Sequence, residues 1–300
     1  MAERPVSTLL DGGSFFESPR WQAGRWWVSD FYRRLVLTVD AAGRAEEVMS
    51  VEQQPSGIGW MPDGSMLVVS MLDRSLLRRH ADGQVDVHAD LSELAPGPCN
   101  DMVVDHEGRA YVANFGSEFT GDGVIRETVL IRVDPDGTAS VAADGLRFPN
   151  GSVITPDGLT LIVGETFGGR YTAFTVASDG SLSERRVWAQ LGPSPDLGPR
   201  SEMVKVLEFT PDGCTLDREG HLWSADPDRG RCCRIAPGGD IVEEVRVRDG
   251  LRVFACMLGG DDGRTLLICA APDFSSHRRA KTREAVLLTT QVDVPHAGLP

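Results

Sequence analysis

Glu107-Gly108-Arg109-Ala110-Tyr111-Val112-Ala113 reads as a tight turn closed by glycine and followed at once by a short apolar strand. The same unit recurs along the chain. Ala23-Gly24 precedes Arg25-Trp26-Trp27-Val28-Ser29, and Asp63-Gly64 precedes Ser65-Met66-Leu67-Val68-Val69. Asp157-Gly158, Glu219-Gly220 and Asp262-Gly263 lead into Leu159 to Val163, His221 to Ala225 and Arg264 to Ile268. A glycine at this point supplies the positive φ that a hairpin turn needs, which a helical repeat does not. These glycines lie 40, 44, 50, 62 and 43 residues apart, the period of a four-stranded propeller blade.

A second turn follows at Gly43, Gly83, Gly137, Gly180 and Gly239, which is 19, 19, 29, 22 and 19 residues after the first turn of its repeat. Each repeat therefore reads strand, turn, strand, loop, strand, turn, strand. The chain is expected to be all-β, a single six-bladed β-propeller domain of four-stranded antiparallel blades over residues 1–300. The sixth repeat lacks the second turn and offers only the strand-like Glu284 to Val292. Its missing strand is expected from Pro5 to Leu10, which has no partner of its own and can close the ring while covering an exposed edge. Two stretches depart from the regular spacing: extra residues around Gly116 to Glu127, and Leu191 to Glu208 with Pro193, Pro195 and Pro199. Insertions in repeat folds map to loops, so 116–127 and 191–208 are candidate lids.

The chain has 30 basic and 44 acidic residues and a formal charge of −14, a balance that repels phosphate backbones and anionic membrane surfaces. A small molecule is the expected partner, not nucleic acid or membrane. No uninterrupted apolar stretch approaches the roughly 20 residues that span a bilayer, and the N-terminus lacks a signal-peptide core, so a cytoplasmic protein is expected. The six cysteines, Cys99, Cys214, Cys232, Cys233, Cys256 and Cys269, show neither zinc spacing nor a disulfide scaffold. They are expected to be reduced, with Cys99, Cys214 and Cys256 in or beside first strands as core filler.

Counting back eight residues from the first-turn glycines gives Ser56, Asn100, Asn150, Asp212 and Ala255; seven back in the first repeat gives Glu17. In a closed ring these positions face the axis. Acid and amide oxygens from several blades meeting at one spot suit a hard divalent cation, since Ca²⁺ takes six to eight oxygens in irregular geometry. Asp212 lies in Pro211-Asp212-Gly213, a turn-like triplet, but Glu219-Gly220 already supplies the hairpin of that repeat.

These residues carry a specific resemblance. Glu17-Ser18-Pro19-Arg20-Trp21, Asn100-Asp101, Pro149-Asn150-Gly151 and Pro211-Asp212-Gly213, each followed by its turn, resemble the senescence marker protein, gluconolactonase and luciferin-regenerating enzyme family of six-bladed propellers. The resemblance covers nearly the whole chain. It implies a metal-dependent hydrolase that opens a lactone. Glu17, Asn150 and Asp212 would coordinate one divalent ion, Ca²⁺ foremost and Zn²⁺, Mn²⁺ or Mg²⁺ as alternatives, with Asn100 as a fourth ligand or a substrate contact. Asp212 is the expected general base, with the cation polarising the ester carbonyl. Sugar-lactonase members carry an arginine two residues before the asparagine corresponding to Asn100, where this chain has Pro98. A less polar cyclic ester is therefore expected, with Ser56, Cys99, Phe115 and Phe167 as candidate substrate contacts. Two other readings stay open: a phosphotriester hydrolase similar to diisopropyl fluorophosphatase, and a non-catalytic binding propeller stapled by its metal.

Overall fold

In the computed structural model, which describes residues 4–117 and 122–298, the chain is built from six four-stranded antiparallel sheets, the blades of a six-bladed β-propeller. The first-turn glycines, Gly24, Gly64, Gly108, Gly158, Gly220 and Gly263, have φ between 72° and 87°. A residue with a Cβ enters that region only with strain, so the recurring glycine is a conformational requirement of the hairpin. Two compact units divide the chain, residues 56–211 and residues 4–55 with 212–298.

In the unit of residues 56–211 the three sheets follow chain order. Their first strands, Pro55–Trp60, Cys99–Val104 and Pro149–Ile154, are almost wholly buried, whereas the fourth strands, Val85–Asp90, Ala139–Leu146 and Leu182–Gln190, are largely solvated. In two of the sheets charge follows that gradient: Pro55–Trp60 and Pro149–Ile154 have no Asp, Glu, Lys or Arg, whereas Val85–Asp90 has two and Leu182–Gln190 three. Adjacent first strands approach closely: a Cβ on Gly57 would lie 2.6 Å from the Met102 nitrogen, and one on Gly59 would lie 2.4 Å from Val104 Cγ2. Only glycine fits there.

The insertion at 191–208 is not entirely loop. It contains the helix Arg200–Val206, entered from Pro199, a residue that the helix interior rejects but the first-turn boundary accepts. Part of the other insertion, residues 118–121, lies outside the described residues. Its remainder bonds to the 191–208 stretch: Ile125 N–H donates to Gly198 O at 2.9 Å, Arg200 N–H to Gly123 O at 3.2 Å and the Ser201 hydroxyl to Asp122 at 2.7 Å. Met203 and Leu207 then join Ile125, Phe148 and Phe167 in one apolar cluster, against which Phe115 packs.

In the other unit, the last sheet is completed by the N-terminal strand as expected, although that strand runs Ser7–Gly13. It pairs antiparallel with Ala285–Gln291 (Ser7↔Thr289, Thr8↔Leu288), with irregularities after Thr8 and Leu10 that lengthen it beyond the expected residues. A Cβ on Gly13 would lie 2.2 Å from the Phe16 ring, so the strand ends on a residue that must be small. The core of this unit gathers Trp223, Cys232, Val253, Cys256, Leu258 and Ile268 with Val286 and Leu288 of Ala285–Gln291.

Deleting residues 1–11 should expose the edge of Ala285–Gln291, lowering the melting temperature and giving concentration-dependent association in size-exclusion chromatography. An unchanged melting temperature and a monodisperse peak at all concentrations would show that the closing strand contributes nothing.

Candidate active site

Within residues 56–211, three of the expected positions fall at the same place in their sheets. Ser56, Asn100 and Asn150 are each the second residue of a first strand. All three are buried, at 0%, 7% and 5% exposure, and a buried polar side chain must find partners. They find one another. The Ser56 hydroxyl donates to Asn100 Oδ1 at 3.2 Å, and Asn100 Nδ2 donates to Asn150 Oδ1 at 3.2 Å. Asn150 Nδ2 donates to Thr166 Oγ1 at 3.2 Å, and the Thr166 hydroxyl donates to Pro211 O at 2.6 Å. Every donor points the same way along this row, ending on the carbonyl that precedes Asp212.

Thr166 is held in place by its neighbour. Glu165, the fully buried last residue of Thr160–Glu165, accepts from Arg170 Nε at 2.8 Å, Arg170 Nη2 at 3.1 Å, the Thr172 hydroxyl and the Arg147 backbone N–H at 2.9 Å. Burial alone would push its carboxyl up, but the hydrogen bonds from Arg170 and Thr172 and the Arg170 charge outweigh it, holding the group below the usual carboxylate range. Backbone bonds complete the seat, with Thr166 N–H donating to Phe148 O at 3.1 Å.

In the unit of residues 4–55 and 212–298, Glu17 lies on the strand Phe16–Gln22, opposite Ser29, where a bulge and a positive φ of 50° at Ser18 break the pairing. Asp212 precedes the strand Cys214–Leu216; its N–H donates to Ala225 O at 3.2 Å, and Gly213 N–H donates to Phe254 O at 2.9 Å. A Cβ on Gly213 would lie 2.5 Å from that of Ala255, so glycine lets this segment lie against its neighbour. The turn role belongs to Asp217, whose Oδ1 accepts from the Glu219 and His221 N–H groups at 2.8 and 3.0 Å. Asp212 is therefore not the turn-capping residue its triplet suggests.

Glu17 and Asp212 both bear on one buried thiol. Burial pushes Cys269 well above its ordinary value, and the charges of Glu17 and Asp212 push it further while Arg20 opposes them. Cys256 is likewise raised, by burial, by Cys232 and by Asp212. Both shifts keep the sulfurs protonated at neutral pH. The phenol of Tyr32 is also near Glu17: burial, then Asp273, push it to about 12, with Glu17 adding to the effect and Arg279 opposing it. Among the described residues no three His, Cys, Asp or Glu side chains are placed to hold a metal ion by themselves; the candidate set mixes two carboxylates with two amides.

The other candidate contacts are one cysteine and two aromatic rings on a shared neighbour. Cys99 is fully buried and its thiol is pushed up to about 12 by burial. Phe167 is buried edge-on against Phe148 at 5.3 Å, and Phe115 stacks on the same ring at 4.6 Å while staying partly exposed. Pro98 is buried, its carbonyl accepting from Phe115 N–H at 2.9 Å. The residues that linear spacing did not reveal are Thr166, Glu165 and Tyr32. A signal for Glu165 exists, because Asp30, Asn114, Glu165 and Asp226 all end the second strand of their sheets.

The pattern that defines the SMP-30/Gluconolactonase/LRE-like region matches residues 15–272, and the chain belongs to that family. A pentonolactonase of Haloferax volcanii is 30% identical over 220 residues, covering 72% of this chain and 67% of that protein. A 6-deoxy-6-sulfogluconolactonase of Pseudomonas putida is 26% identical, covering 72% of each chain. Among solved structures, a calcium-binding regucalcin of Agrobacterium tumefaciens superposes with a TM-score of 0.79 at 19% identity, covering 100% of this chain and 99% of that one. A luciferin-regenerating enzyme gives 0.76 at 16%, covering 98% and 97%. These two share the fold.

The lowered carboxyl of Glu165 has a defined consequence for acid stability. A group whose pKa is lower in the folded chain contributes stability above its unfolded value and loses it as pH falls through the folded one. Glu165→Gln should cost about 1.5–3 kcal/mol at neutral pH, and its melting curve should converge on that of the parent as pH drops below about 4.5. Parallel curves across that range would contradict the assignment.

Proposed function

We propose that the protein hydrolyses a lactone with one divalent cation held by Glu17, Asn150 and Asp212, and with Asn100 beside them as fourth oxygen donor or substrate contact. The observation that carries this reading is the buried row Ser56–Asn100–Asn150, in register at the starts of three first strands. Two carboxylates, Glu17 on Phe16–Gln22 and Asp212 just before Cys214–Leu216, occupy the corresponding stretches of the other unit. Membership of a family that includes gluconolactonase, and relatives named as lactonases, support the reaction class.

The donors fit a hard ion. Asn150 Oδ1 has two lone pairs and spends one on Asn100. Carboxylate and amide oxygens in irregular arrangement suit Ca²⁺ first, then Mg²⁺ or Mn²⁺, and suit Zn²⁺ least. A cation bound there supplies polarisation of the ester carbonyl and acidifies water. Asp212 accepts the water's proton as general base. Asn100 gives one Nδ2 hydrogen to Asn150 and uses the other to orient the lactone. The buried Pro98 contributes no donor, which favours a cyclic ester less polar than a sugar lactone.

Glu17→Ala, Asn150→Ala and Asp212→Ala should each lower metal-dependent kcat/KM by at least about 100-fold, while far-UV circular dichroism stays that of the parent. Full turnover by the metal-stripped triple variant would dismiss the mechanism. In a lactone series of graded polarity, kcat/KM should rise as hydroxyl groups are removed; a clear preference for an aldonolactone would refute the role given to Pro98.

A further inference from the structure

Thr166 is the point where the buried row acquires its direction. Its hydroxyl donates to Pro211 O at 2.6 Å, and a hydroxyl has only one proton to give. Toward Asn150 it can therefore only accept. That forces Asn150 to present Nδ2 to Thr166, at 3.2 Å, and its oxygen to Asn100. A rotated amide would set Oδ1 against an oxygen without a proton to offer and Nδ2 against the Nδ2 of Asn100. Resting on the metal-dependent reading above, we propose that Thr166 is a positioning residue that fixes which atom of the Asn150 amide is available to the cation, and at the same time anchors the Pro211 carbonyl next to Asp212.

The placement is built, not incidental. Thr166 opens the short 3-10 turn Thr166–Gly168, and the residue before it is the buried, multiply bonded Glu165. The turn exits through Gly169 in the left-handed region, φ 58°, where a Cβ would lie 3.0 Å from Leu207 Cδ2. Thr166 N–H is committed to Phe148 O, so its backbone is held as well as its hydroxyl. Partners one bond removed from a metal ligand set its orientation, and their loss typically weakens the metal about 10- to 100-fold.

Thr166→Val keeps the shape and removes the proton; Thr166→Ser keeps the proton and removes the methyl. Calorimetric titration of the metal-stripped full chain with CaCl₂ and MnCl₂ should show Thr166→Val binding about 10- to 100-fold more weakly, with Thr166→Ser recovering the parent affinity. If Thr166→Val fails to fold, Thr166→Ala against Thr166→Ser makes the same comparison. A merely structural Thr166 would lower the melting temperature of the metal-free protein and leave the metal Kd unchanged, and that result overturns the proposal. Failure of the parent chain to bind either ion removes the metal-dependent reading itself, so the two failures are distinguishable.

Discussion

Burying an amide is costly unless each of its polar atoms is paired, and this constraint organises the candidate site. Asn100 and Asn150 are almost inaccessible, yet both ends of each amide have partners in a row that runs from Ser56 to Pro211 O. Hydrogen bonds that all point one way polarise one another, so the row is stiffer than its separate bonds. A hydrolytic centre needs oxygen atoms whose positions do not relax when charge develops. The same requirement that makes the amides tolerable in the core makes them useful at its surface.

Buried charge is handled differently in the rest of the blades. Glu165, Asp226 and Asp217 are fully buried, and each meets an arginine of its own sheet, Arg170 at 2.8 Å, Arg231 at 2.9 Å and Arg234 at 2.6 Å. Such clasps fix the ends of second strands and the hairpins that follow the first ones. Arg20 shares the surroundings of Cys269 with Glu17 and Asp212, and its charge opposes theirs there.

Much of this was legible in the sequence because the repeat is written in glycine. Glycine at six turns marks the strand order, and alignment of those turns sets Ser56, Asn100 and Asn150 at the one register position that they share in the sheets. Asp212 was separable from a turn residue because its hairpin was already accounted for at Glu219-Gly220, and Asp217 fills that role. Thr166 was not legible, since its importance lies in bonds to residues 16 and 45 positions away. The helix Arg200–Val206 was hidden by three prolines in the same stretch; its stability comes from packing Met203 on distant aromatic rings, which no local propensity reports. The N-terminal strand closes the sheet as its sequence suggests but runs Ser7–Gly13, starting later than Pro5 and continuing past Leu10, where pairing persists through irregularities.

The pairing of Ser7 with Thr289 joins segments separated by nearly the whole described chain. The first of these strands is made long before the second, so their pairing can form only once nearly all of the described chain has been made. Until then Ala285–Gln291 has no outer neighbour and Ser7–Gly13 has no neighbour at all. Contacts this remote in sequence form slowly because the intervening polypeptide must first be ordered.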